Sequence, residues 1–261
     1  MRQLHYKNEI TLRLLIVLCV ALVLLVYISV KTTKNIAQVF LPTKELPIYS
    51  VETSEKKIAI SFDAAWGNEY TSFILDTLDR YNIKSTFFLV GFWVDKYPED
   101  VKEIAKRGHD VGNHSTTHPN MSQLSKEKII EELRTTGDKI EELTGIRPTL
   151  FRPPFGDYND LLIRTCREEG YYVIQWDVDS LDWKELGAQS VVDRVTRNVK
   201  NGSIVLFHNN AKYIKDYLPV VIERLLEAGY EIVPISELIY KDNFIMDNTG
   251  RQIPVPENSN D

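Results

Sequence analysis

The chain predicts an α/β fold: a distorted or incomplete (β/α) barrel of about seven parallel strands, preceded by one transmembrane helix. Three observations carry this. Short, nearly continuous apolar runs alternate with amphipathic helical patterns. Unusual polar residues recur at the C-terminal ends of those runs. An uncharged apolar stretch stands at the N-terminus. In a barrel, strand ends converge on one mouth. In an open doubly wound sheet, the competing architecture, they spread along an edge and only the switch point forms a crevice.

The N-terminal stretch comes first. From Leu14 to Ile28 the sequence LLIVLCVALVLLVYI carries no charge. With Ile10, Leu12 and Val30 it reaches the ~20 residues that a helix needs to span a bilayer. Lys31 and Lys34 follow in place of the small residues of a cleavage site, which favours an uncleaved anchor over a signal peptide. Arg2, Lys7 and Arg13 precede the span, a small bias toward a cytoplasmic N-terminus with the rest of the chain outside. The expected division is residues 1–13 cytoplasmic, 14–30 anchor, 31–55 linker, 56–240 main domain and 241–261 a loosely ordered tail. Pro42 and Pro47 mark the linker, and PVPENSND the tail.

Strands are expected at residues 57–63, 85–90, 109–114, 149–152, 171–177, 203–208 and 230–234. Their continuous apolar character suits parallel strands buried on both faces. Between them lie helical stripes. Tyr70, Phe73, Ile74, Leu78 and Tyr81 share one face, and residues 100–106 follow Pro98, a favoured early-helix residue. Ser125 caps a helix carrying Ile129, Leu133 and Ile140. Val191, Val192 and Val195 make another stripe, and Leu218, Val221, Ile222 and Leu225 the last.

Charge excludes one class of partner. The net charge is −6, but residues 1–34 hold five basic side chains against Glu9, which leaves −10 on the remainder. A body that acidic does not bind nucleic acid, which requires a basic surface. Cys19 and Cys166 are too far apart in context to form a disulfide framework.

Five polar clusters sit at strand ends: Asp63 in SFDAAWG; His114 and His118 in NHSTTHP; Arg152 in FRPPFGDY; Asp177, Asp179, Asp182 and Trp183 in WDVDSLDW; and His208 in IVLFHN. Together they point to one hydrolytic site. His114 and His118, four apart, suit one metal ion, or else hydrogen-bond within a loop; no Glu follows His114, so this is not an HExxH helix. Asp63 suits a general base or a helix cap. His208 suits a general acid or a satisfied core histidine. A buried Arg152 needs a carboxylate partner, which makes it an orienting group for Asp63. Asp177 and Asp182 suit a two-carboxylate glycosidase, a reading that leaves the histidines without a role.

In this order, over roughly residues 56–240, the clusters resemble the NodB-type polysaccharide deacetylases, carbohydrate esterase family 4. The resemblance implies a distorted (β/α) barrel that removes acetyl groups from chitin, peptidoglycan or xylan with a divalent metal (Zn, Co or Mn). It implies Asp63 as base, His114 and His118 as metal ligands, and Arg152 as the tether of the base. It further implies Asp182 as the residue that tunes the catalytic histidine and His208 as the acid. By the same resemblance Trp183 and Leu206 are expected to line the acetyl-methyl pocket. Phe155 stands where the family usually has Tyr, whose backbone N–H helps hold the oxyanion. One departure matters: the family's third metal ligand, an Asp directly after the base, is Ala64 here. SFDAAWG, SLDWKELGA and the N-terminal anchor look like the sporulation, PdaB-like branch. The expected function is metal-dependent N-deacetylation of cell-wall peptidoglycan in sporulation, at the outer face of the membrane. The alternative is a weak or inactive glycan-binding protein, motivated by Ala64.

Overall fold

The structure is a computed structural model that describes residues 18–27 and 44–255. It divides into two units, 1–44 and 45–261. In the first, residues 18–27 form helix α1, with all ten residues exposed. No helix among the described residues is long and apolar enough to cross a membrane. The rest of the expected span, 14–17 and 28–30, lies outside the described residues.

The second unit begins with β1 (Ser50–Val51), β2 (Lys57–Ala64), α2 (Thr71–Arg80), β3 (Thr86–Leu89), α3 (Gly91–Lys96), α4 (Pro98–Lys106) and β4 (Asp110–Asn113). It continues with α5 (Lys126–Thr144), β5 (Leu150–Phe151), α6 (Asp160–Glu168), β6 (Tyr172–Val173), β7 (Val178–Asp179), α7 (Ala188–Asn198) and β8 (Ile204–His208). It closes with α8 (Ile214–Glu227), β9 (Glu231–Ile232), α9 (Ile235–Leu238), β10 (Phe244–Met246) and β11 (Arg251–Pro254).

The main sheet runs β6-β5-β4-β3-β2-β8-β7, all parallel, with β9 pairing the start of β2. Its two edges, β6 and β7, are neighbours in sequence. Only residues 174–177 join them, and so short a segment spans roughly 17 Å at most. The edges therefore face each other across a narrow seam, as in a barrel that fails to close. Residues 48–51 fill the seam. Ile48 pairs with Ile174 on one side and Ser50 with Ser203 on the other. The expected barrel is thus present in distorted, incomplete form; the expected strand at 171–177 is reduced to β6, and β7, which lies outside the expected strands, forms the opposite edge.

Two expectations about the ends need correction. The stretch read as a linker, 31–55, contributes β1, with Val51 buried. The stretch read as a loose tail, 241–261, contributes β10 and β11. These three strands form a second sheet in the order β1-β11-β10. Gly202 seats this sheet against the barrel: Val51 N–H donates to its carbonyl, and a Cβ there would land on the Val51 carbonyl.

Packing follows the expected stripes. Phe62 of β2 stacks between Phe87 and Phe207 at ring-centroid distances of 5.1 and 5.7 Å. Ile74, Leu75 and Leu78 of α2, and Leu218, Val221 and Ile222 of α8, cover that layer. Ser125 caps α5 by accepting from Lys128 N–H at 3.4 Å, and the helix ends at Gly145 with φ 74°.

Candidate active site

Sheet register builds the site. Asp63, near the end of β2, sits beside His208, the last residue of β8. His114 directly follows β4 and Arg152 directly follows β5, whose register pairs Asn113 with Phe151. Asp63, His114, His118, Phe155, Asp182, Trp183, Leu206 and His208 line one cleft of about 580 Å³. The sequence-level expectation of a shared mouth holds for these eight residues.

Arg152 lies beneath them and is fully buried. Its Nη1 donates to Asp63 Oδ1 at 2.7 Å and its Nη2 to Gln175 O at 3.2 Å. The guanidinium carbon stands 4.1 Å from the centroid of the Phe88 ring, a cation–π contact that suits the flat group. Burial alone would push the Asp63 carboxyl up. The charges of Arg152 and His208, with the Arg152 hydrogen bond, overcome that and hold it below the usual carboxylate range. Asp63 is thus an ionised carboxylate in a buried place, as a general base requires.

His208 receives the opposite treatment. Its Nδ1–H donates to Asp182 Oδ1 at 2.7 Å, and its backbone N–H to Asp182 Oδ2 at 2.9 Å. Burial lowers the imidazole pKa. The Asp182 hydrogen bond and charge, with Asp63 and Asp179, outweigh this and raise it. Asp182 is itself held by the Trp183 N–H and by the Tyr217 hydroxyl, each at 2.8 Å. The sequence reading missed Tyr217, although it falls on the apolar stripe of α8 as that stripe's one polar-tipped aromatic.

His114 Nδ1 lies 2.7 Å from the Arg152 carbonyl. A carbonyl only accepts, so the proton is on Nδ1 and Nε2 presents its lone pair to the cleft. That Nε2 is 3.5 Å from Asp63 Oδ2. Burial lowers the pKa of His114, and that of His118 to about 4, so both imidazoles are neutral donors. The His118 ring is 4.9 Å from that of His114, 4.5 Å from Phe155 and 5.3 Å from Trp66, edge to face in each case. Glu132 of α5, also missed in the sequence, holds the intervening loop by accepting the N–H groups of Thr116 and Thr117.

Backbone strain concentrates around this cleft. Seven non-glycine residues among those described have positive φ. Five of them, Ser115, His118, Phe155, Leu181 and Glu185, belong to loops that form its walls. Such conformations persist where the surroundings over-determine them, and they cluster at functional sites.

The residues present do not complete the three-donor set that the resemblance implies. Ala64 offers a methyl group, is packed in the core and does not line the cleft. Among the described residues, no three His, Cys, Asp or Glu side chains are grouped to hold a metal. Asp63 is the nearest substitute, but Oδ1 is taken by Arg152, and ligation through Oδ2 would withdraw it as a base. Asp177 does not belong to the site either. It accepts from Ser203 Oγ and Ile204 N–H at the start of β8, the strand end opposite His208. That separates it from Asp182 and removes the two-carboxylate glycosidase reading.

Replacing Arg152 by Gln leaves the Asp63 carboxylate buried without its partner. Urea unfolding at pH 7 is expected to show a loss of about 3 kcal/mol or more. The deficit should shrink as the pH falls, because the stranded carboxyl can then take up a proton.

Comparison with known proteins agrees with this geometry. A family model described as "Polysaccharide deacetylase" matches residues 50–174. A peptidoglycan-N-acetylglucosamine deacetylase of Bacillus cereus is 38% identical over 196 residues, covering 73% of this chain and 92% of that protein. The peptidoglycan-N-acetylmuramic acid deacetylase PdaC of Bacillus subtilis is 37% identical over 72% of this chain, which spans only 40% of that relative's length. Among solved structures, wild-type BA3943, described as a CE4 family pseudoenzyme from Bacillus anthracis, superposes with a TM-score of 0.72 at 32% identity, covering 81% of this chain and 73% of that one. With the strand-end cluster intact and a relative matched over nearly its whole length, the chain belongs to the polysaccharide deacetylase family.

Proposed function

We propose that this chain is a hydrolase that removes N-acetyl groups from the glycan strands of peptidoglycan. The observation that carries this is the pairing of Asp63 and His208 across β2 and β8, with their proton affinities driven apart in one cleft. Peptidoglycan is the substrate because the relatives matched above act on it by name.

Asp63 takes a proton from water as the water oxygen bonds to the acetyl carbon. The Phe155 N–H, by resemblance to the family, faces the oxyanion of the tetrahedral intermediate. His208, held charged by Asp182, gives its proton to the amide nitrogen as the C–N bond breaks. Acetate leaves, and the sugar keeps a free amine. Leu206 and Trp183 supply an apolar wall for the methyl group. No step is assigned to a metal; His114 and His118 supply two of the donors that such an ion takes.

The test is acetate release from peptidoglycan and chitin oligomers, with and without added Zn²⁺, Co²⁺ or Mn²⁺. Asp63→Asn is expected to cost at least about 100-fold, the scale of a lost general base. No release by the wild-type chain under any of these conditions would sink the proposal. The pH profile has a definite sign. The rate needs Asp63 ionised and His208 protonated. It should hold from below the ordinary carboxylate value, ~4, to above the ordinary imidazole value, ~6.5, and fall as pH rises through the raised His208 value. Asp182→Asn should move that alkaline limb to lower pH.

A second reading, a glycan-binding protein without turnover, is favoured by Ala64 and by the likeness to a structure described as a pseudoenzyme. Ala64→Asp separates the two. It is expected to tighten Zn²⁺ binding at least about tenfold by calorimetry. If acetate release appears only in that variant, the natural chain is the non-enzyme. Unchanged zinc affinity would show that a carboxylate at 64 does not reach the histidines.

The apolar segment 14–30 is proposed to hold the chain on the cytoplasmic membrane with residues 31–261 outside. Its length and lack of charge support this. The chain should stay with the membrane pellet through an alkaline carbonate wash, and full release would refute the anchor.

A further inference from the structure

One lip of the cleft carries aromatic surface that the proposed chemistry leaves unused. Trp66, just after β2, is 59% exposed, and Phe92, the second residue of α3, is 37% exposed. Their ring centroids lie 6.2 Å apart at a tilt of 45°. Trp66 lines the cleft and stands edge to face against His118, so the aromatic pair continues directly from the site.

The loop that presents Trp66 is braced. The carbonyl of the next residue, Gly67, accepts from Trp93 Nε1 at 2.6 Å and from Asn209 Nδ2 at 2.8 Å. Trp93 and Asn209 are both buried, so the donors are fixed. A large indole left in water forgoes the gain of burying its apolar surface. Neighbouring exposed apolar side chains beside a cleft mark a binding surface. Holding them in place from a rigid loop lowers the entropy cost of binding.

The surrounding charge selects the ligand. The cleft has Asp63, Asp179, Asp182 and Glu185 in its wall against Lys212 alone among lysines and arginines. Lys212 is itself paired with Glu185 at 3.1 Å. Asp63 is offset by Arg152 and Asp182 by His208, so the wall carries little net charge and favours an uncharged ligand. A ring with one apolar C–H face and a polar rim suits both the aromatic lip and the polar wall, and a pyranose is such a ring.

We propose that Trp66 and Phe92 form a sugar subsite that takes the apolar face of an uncharged pyranose neighbouring the sugar that reacts. The identity of that neighbour rests on the deacetylase reading above; the subsite itself rests on Trp66 and Phe92.

The test uses the full chain carrying Asp63→Asn, so that ligand is not consumed, titrated by calorimetry with N-acetylglucosamine and with its β-1,4-linked tetramer. Adding Trp66→Ala is expected to weaken tetramer binding about five- to tenfold and leave monomer binding unchanged. Trp66→Tyr, which keeps a ring, should retain most of the tetramer affinity. Phe92→Ala should act in the same direction as Trp66→Ala with a smaller effect, a second variant should the first fail to fold by circular dichroism. Equal tetramer affinity with and without Trp66, or no tetramer binding by the parent chain, overturns the subsite. If the wild-type chain releases acetate from the tetramer and Trp66→Ala binds it unchanged, the subsite falls and the deacetylase reading stands. If Trp66→Ala loses tetramer affinity while the wild-type chain releases no acetate, the deacetylase reading falls and the subsite stands.

Discussion

A guanidinium with no exposed surface sits within the barrel, and its neutralisation by Asp63 constrains nearly everything around it. Arg152 cannot shed its proton, so its partner must remain a carboxylate. That requirement fixes Asp63 at the β2 end, Phe88 beneath the flat face of the guanidinium and Gln175 as the second acceptor. The backbone of the same residue sets the tautomer of His114. One buried cation therefore keeps the base ionised and aims the imidazole. The stability and the reactivity of this site are two results of a single pairing.

The lack of a carboxylate at position 64 is a local change. His114 still offers Nε2, His118 still sits in its strained conformation between Phe155 and Trp66, and Asp182 still holds His208 through both of its oxygens. What has gone is one donor atom. The remaining machinery is arranged as if for proton transfer. Two neutral imidazoles stand beside a carboxylate that already has one oxygen engaged.

Much of this was legible in the sequence because strand ends are a strong positional signal. A charged or imidazole side chain after four or five apolar residues has few structural reasons to be there, and five such clusters proved to share a mouth, with Asp177 the exception. Asp177 groups with the site in the sequence because its neighbours in WDVDSLDW line the cleft. The chain reverses its position across the seam within those residues, which no periodicity reveals. Tyr217 and Glu132 were hidden for the opposite reason. They lie within helices, where a tyrosine on an apolar stripe or a glutamate on a polar face is ordinary, and only tertiary contact gives them a role. The small strands β1, β10 and β11 were read as linker and tail because two to four residues make too short a pattern to register. Their pairing comes from a distant partner rather than from local preference.

That small sheet sets an order of events. β1 near the start of the domain pairs with β11 near its end, Ser50 opposite Arg251, and the central strand β2 takes β8 as its neighbour with Ala59 opposite Ile204. β1 and one edge of β2 therefore find their partners only after the last strands have been made, although β2, β3, β4 and β5 pair in order among themselves. Loop closure over such separations is slow, and the early strands wait with unpaired edges. A chain that emerges N-terminus first would stay open until synthesis of the domain is nearly complete. Residues 251–254 then lock the seam strand in place, so clipping the chain ahead of β11 would leave an assembled barrel whose seam strand has lost its outer partner.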